Sequence, residues 1–122
     1  SWGGGGEAQI TSLRIGNCNA PGPCNVNAGT SYTVSWTTQN ASSCTLDGEP
    51  VSVNGEKTFG TTKACDVGTS CSACQGGKYE WCDSKVVSRS HTLSCSGGGG
   101  TASKSIEVKW DEGQCKQYSC PL

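Results

Sequence analysis

The chain has no methionine, a single histidine and a single phenylalanine, and only 33% of its residues are hydrophobic. That apolar fraction is low for a soluble domain, so burial alone gives a modest core. There is no run of 18 or more apolar residues, so no segment reads as a membrane-spanning helix. Charge of one sign is missing too. Nine basic and ten acidic residues are scattered along the chain for a net charge of −1. Without a basic stripe, nucleic acid is excluded as the expected partner. No stretch shows helical periodicity. The glycine runs precede no helix and carry no Lys-Ser/Thr partner, so no phosphate-cradling loop is present.

Cysteine, by contrast, is abundant. Ten of the 122 residues are cysteine, an even count, and 18 are glycine. Cytosolic thiols are kept reduced, so ten cysteines in a short chain point to an extracellular setting, secreted or at the cell surface. Covalent staples compensate for a small core. Ser1-Trp2-Gly3 does not resemble a translation start, and no leader is visible, so the chain reads as a mature or excised portion.

The pattern along the chain is that of short strands. Residues 1–7 read as a flexible, glycine-rich lead-in. Gln9 to Ile15 is a strand with Leu13 and Ile15 on one face; Ile10 falls on the other parity, which predicts a bulge. In Ser31 to Thr37, Tyr32, Val34 and Trp36 alternate with polar residues. Cys44 and Leu46 share a face, and Asp47-Gly48 and Asn54-Gly55 are turn signals. Val86 to Cys95 places His91, Leu93 and Cys95 on one face. Gly97 to Gly100 reads as a loose hairpin loop, and Ser103 to Trp110 turns Ile106, Val108 and Trp110 inward. Residues 61–85 break the pattern and read as a cysteine-rich insertion. Residues 111–122 read as a tail tethered by disulfides. About seven short strands with frequent turns give an all-β antiparallel sandwich.

Val34-Ser-Trp36-Thr-Thr-Gln-Asn40-Ala-Ser-Ser-Cys44, followed by Thr92-Leu-Ser-Cys95 and a glycine-rich turn, resembles the bacterial immunoglobulin-like domains of surface and pilin-like proteins. The resemblance covers residues 8–60 and 86–110. It implies an immunoglobulin-like β-sandwich, with Trp36 in the core and Cys44 paired to Cys95 across it. That family often has Tyr at the position of His91, and its simple pattern lacks the 61–85 insertion. In such a sandwich the first and last strands run parallel as neighbours. This places Cys18, Cys24, Cys115 and Cys120 in one group, paired locally or between loop and tail. Cys65, Cys71, Cys74 and Cys82 form a second group within the insertion. Four thiolates with one CxxC also suit structural zinc, but the oxidising setting implied by the other six cysteines favours disulfides. No metal and no cofactor is expected.

No reaction is announced. A hydrolytic triad needs a nucleophile, a base and an orienting group. The one histidine, His91, falls on an inward parity and reads as a packed core residue. The even cysteine count leaves no thiolate free. The acidic residues read as solvated surface charge, and none has the spacing of a calcium loop. Asn40-Ala41-Ser42 matches the glycan acceptor pattern. The expectation is a non-catalytic structural or adhesive module of a microbial surface protein, a pilus or a filament. The alternative is a ligand-binding module using the aromatics of the insertion. Tyr79 and Trp81 flank Glu80 on a stapled loop and are candidate anchors for carbohydrate or a protein partner. The competing role for Trp81 is a miniature core for the insertion. Trp2, in the lead-in, is a candidate contact to an adjacent domain or to another copy in a fibre.

Overall fold

The computed structural model describes residues 6–121. Among these, all regular structure is β. The strands are β1 (Gln9–Ile15), β2 (Cys18–Asn19), β3 (Cys24–Asn25), β4 (Ser31–Gln39), β5 (Ser43–Leu46), β6 (Glu49–Val51), β7 (Gly55–Gly60), β8 (Ser70–Gln75), β9 (Lys78–Asp83), β10 (Val86–Gly97), β11 (Gly100–Asp111) and β12 (Gln114–Ser119). They form three sheets, in the orders β2-β1-β4-β7, β3-β11-β10-β5-β6 and β12-β9-β8. All pairings are antiparallel except β3 with β11. Trp2, the lead-in candidate, lies outside the described residues.

Period-two alternation sets which side chains enter the core. Tyr32, Val34 and Trp36 of β4 are buried, as are Leu13 and Ile15 of β1. From the second sheet come Cys44 and Leu46, then His91, Leu93 and Cys95, then Ile106, Val108 and Trp110. The apolar members form one cluster fed by both larger sheets. Each fully buried large aliphatic contributes about 1.5–3 kcal/mol. The two core tryptophans are also satisfied at their polar end. Trp36 Nε1 donates to Ser52 O at 2.8 Å, and Trp110 Nε1 donates to Thr62 Oγ1 at 3.1 Å. Ladder register breaks between Ile10 and Ser12 of β1. This bulge reconciles the opposite parities of Ile10 and Leu13.

Several features differ from the sequence reading. Cys44 and Cys95 are bonded, but within one sheet rather than across the core. They are register partners on the adjacent strands β5 and β10, with Cα atoms 4.1 Å apart. The glycine loop is not loose. The β10–β11 ladder runs to Gly97 and Gly100, leaving a two-residue turn with φ of 59° at Gly98 and 82° at Gly99. Both signs are those of a type I′ turn. A Cβ at Gly98 would lie 2.2 Å from Gly6 O, so the turn must be bare for the chain entering β1 to pass.

The third sheet accounts for the remaining differences. The insertion is a hairpin, β8 and β9, closed by Gly76-Gly77 with φ of 62° and 82°. The tail is a strand, β12, paired with β9 from Gln114↔Asp83 to Ser119↔Lys78. Cys115 and Cys120 are therefore not grouped with Cys18 and Cys24. Cys18 bonds Cys24 locally, Cys65 bonds Cys82, and the tail cysteines bond the insertion as Cys71–Cys115 and Cys74–Cys120. The reason is the β10–β11 hairpin. It pairs Val86 with Asp111, so whatever precedes β10 meets whatever follows β11.

Candidate functional site: an aromatic face on the third sheet

β9 reads Lys-Tyr-Glu-Trp-Cys-Asp, and its alternation sorts the residues to two faces. Tyr79, Trp81 and Asp83 share one face. Cys82 takes the other, where it is 1% exposed and bonded to Cys65. The back of the sheet is thus held to the loop before β8, while the front stays open. Pairing extends the front face onto β12, where Tyr118 lies opposite Tyr79 and Lys116 opposite Trp81. On the other side Ser70 of β8 lies opposite Trp81.

The front face is aromatic and accessible. Trp81 is 38% exposed and Tyr118 is 39% exposed. Trp81 is therefore not the miniature core of the insertion; the buried residue there is Cys82. The Tyr79 and Tyr118 rings lie 5.7 Å apart between centroids, tilted by 33°. The Tyr118 hydroxyl donates to Asp83 Oδ2. That hydrogen bond to a carboxylate is the main reason its phenol is held above the ordinary tyrosine range. Tyr79, Trp81, Tyr118, Cys74, Ser70 and Pro121 are among the residues lining an open depression of about 580 Å³. This is the size of a small-ligand site, and its make-up of aromatics with a few polar groups is typical of one.

Rigidity comes from the junctions. Asp111, at the end of β11, accepts from Ser84 Oγ, from Lys85 N at 2.8 Å and from Gly113 N at 3.1 Å. These bonds, that from Ser84 foremost, hold its carboxyl below the usual range. Glu112 is lowered likewise, chiefly by Thr62 Oγ1, which donates to it at 2.5 Å. Three bridges cross-link the sheet, and Cys120 N donates to Gly77 O at 2.9 Å, pinning the end of the tail to the β8–β9 turn.

Of the residues singled out from the sequence, Tyr79 and Trp81 are brought together on this face. Tyr118 and Pro121 are not among them, because the sequence shows the tail as a tether rather than a strand. The available signal was again the hairpin, which returns the tail to the insertion.

A second polar constellation is buried. His91 is 1% exposed. Its Nδ1 lies 2.6 Å from Asp47 Oδ2, and its Nε2 lies 2.7 Å from the Tyr32 hydroxyl. Arg89 donates to the same hydroxyl at 3.1 Å. One assignment satisfies every group: Arg89 donates to Tyr32, Tyr32 donates to Nε2, and Nδ1–H donates to Asp47. Asp47 Oδ1 also accepts from Thr92 N at 2.8 Å. The carboxylate–imidazole–hydroxyl order is that of a hydrolytic triad. The hydroxyl, however, sits on a tyrosine only 5% exposed, pressed against Phe59 and Trp110. The arrangement locks the turn at Asp47 to the core strands.

No protein-family model, curated protein or solved structure matches the chain. Its function has to be read from its own residues.

Proposed function

We propose that the chain is a non-catalytic, extracellular immunoglobulin-like module, adhesive in role, whose third sheet binds carbohydrate through Tyr79, Trp81 and Tyr118. The strand order supports the scaffold part of this reading. In an immunoglobulin-like sandwich the first, second and fifth strands share one sheet, and the third, sixth and seventh share the other. Here β1, β4 and β7 lie together, as do β5, β10 and β11. The bonded cysteines sit on the third and sixth strands of that scheme, a departure from the usual pair on the second and sixth. Five disulfides suit an oxidising, extracellular setting.

The observation that carries the binding reading is the exposure of Trp81 on a sheet whose opposite face is locked by disulfides. A folded chain that leaves a large aromatic open, beside two tyrosines, has a surface ready to bury. Sugar rings suit it because their apolar faces stack on aromatics. Asp83, Ser70 and Lys116 stand at the margins to meet hydroxyl groups. A role as a structural part of a pilus or filament through Trp2 concerns residues outside those described.

The test is a glycan array probed with the native chain and with the Tyr79→Ala/Trp81→Ala double variant. The expected result is binding to a defined glycan set that the variant loses, with an unchanged melting temperature. Binding that survives both substitutions, or no glycan binding at any concentration tried, overturns the carbohydrate assignment.

A further inference from the structure

Beneath the aromatic face, two disulfides touch. The Sγ atoms of Cys65, Cys71 and Cys115 all lie within 4.8 Å of one another, and the Sγ of Cys82 is bonded to that of Cys65. Four sulfurs thus converge from four places in the fold: the loop before β8, β8 itself, β9 and β12. Cys115 and Cys82 are register partners, so β9 and β12 present them side by side. The backbone closes tightly over the group, since a Cβ at Gly113 would fall 2.8 Å from the Cys82 sulfur and 3.0 Å from the Cys65 sulfur. Cys71 is exposed and gives access from solvent.

We propose that Cys65, Cys71, Cys82 and Cys115 form a redox-dependent metal site, which binds one zinc ion when both bridges are reduced. Tetrahedral zinc–thiolate bonds of about 2.3 Å place neighbouring sulfurs about 3.8 Å apart. The Cys65, Cys71 and Cys115 sulfurs, already within 4.8 Å of one another, reach that arrangement by side-chain rotation, and the Cys82 sulfur, bonded to that of Cys65, turns in to complete it. The ligand set is not the one the sequence spacing offers. Cys74, the second cysteine of the CxxC, belongs instead to the bridge with Cys120.

The need for such a site follows from the sheet's burial. β8 and β12 contain no buried residue, so the third sheet has almost no core of its own and depends on cross-links. A chain made in a reducing compartment has no disulfides there. A four-thiolate zinc ion ties the same three strands before oxidation and leaves the cysteines paired in space for it. Each bridge takes two electrons and two protons from a dithiol, which becomes a disulfide, or two electrons from a phosphine and two protons from water, whose oxygen ends in the phosphine oxide. Zinc then displaces four protons from the four thiols.

The experiment titrates the 122-residue chain, reduced with a phosphine under anaerobic conditions, with Cd²⁺ alone and monitors the thiolate-to-metal charge-transfer band. The expected result is one equivalent bound per chain, unchanged in Cys74→Ser/Cys120→Ser, and weakened roughly a hundredfold or more in Cys71→Ser/Cys115→Ser. A second readout is proteolysis at Trp81 and Tyr118, which bound metal should slow in the reduced wild type. Absence of a stoichiometric band overturns the proposal, whether or not the reduced chain keeps its fold. So does a band indifferent to Cys71→Ser/Cys115→Ser, or one that requires Cys74 and Cys120.

Discussion

The hydroxyl of Tyr32 has two partners, the buried imidazole of His91 and the guanidinium of Arg89, which also reaches Gly60 O. Replacing Tyr32 by Phe keeps the ring against Phe59 and Trp110 but removes the donor to His91 Nε2 and the acceptor for Arg89. His91 is 1% exposed, so water does not readily replace the lost bond. An orphaned buried polar group costs about 1–3 kcal/mol. The expected outcome for Tyr32→Phe is a destabilisation of that size in urea unfolding, with the slope unchanged. A loss within error of zero would mean that the chain from Arg89 to Asp47 is decorative. Part of this constellation is legible in the sequence. The parity of His91 with Leu93 and Cys95 points it inward, and Tyr32 alternates with Val34 and Trp36. The partner Asp47 is not legible, because Asp47-Gly48 reads as a turn. Asp47 does sit at positive φ, 52°, yet its carboxylate turns back to the imidazole and to Thr92 N. No local pattern encodes a contact between residues 44 positions apart.

At the scale of elements, the joint between β11 and β12 decides how firmly the aromatic face is held. Asp111 gathers Ser84, Lys85 and Gly113 around one carboxylate. Its folded pKa is depressed, so its contribution is present above the unfolded carboxylate value of about 3.9 and is lost as pH falls through the lower folded value. Glu112, tied to Thr62 and paired with Lys85, loses its contribution in the same sense. Over the acid interval below about pH 4 the joint should therefore loosen while the larger sheets stay paired. Amide exchange in β9 and β12 is expected to accelerate over that interval, ahead of β4 and β10, and Asp111→Asn should flatten most of the pH dependence. Uniform acceleration across all strands would place the acid-sensitive group elsewhere. The core strands were readable because β-branched and aromatic residues alternate with Ser and Thr. The third sheet was not. β8 is Ser-Cys-Ser-Ala-Cys-Gln and buries nothing, so it carries no apolar alternation. Its strand character comes from pairing and from disulfides, which are non-local.

Over the whole molecule, stability is divided between two kinds of construction. The two larger sheets share a core of buried aliphatic and aromatic residues and carry two bridges, of which Cys44–Cys95 lies inside that core at 4% and 3% exposure. The third sheet is held by pairing and three bridges, two of which begin at exposed cysteines, Cys71 and Cys74. Thiol–disulfide exchange needs a thiolate to reach the sulfur it attacks, so access sets the order of opening. A graded dithiol titration, quenched by alkylation and read by peptide mass spectrometry, should open Cys71–Cys115 and Cys74–Cys120 first and Cys44–Cys95 last. While only the outer bridges are open, the β10–β11 and β1–β4 pairings should persist, because their apolar burial does not depend on the tail. Glycan binding should already be lost at that stage, since Tyr118 reaches its place opposite Tyr79 only through β12. If Cys44–Cys95 is alkylated together with the others, the outer sheet is not a separable layer, and the chain opens as a single cooperative unit.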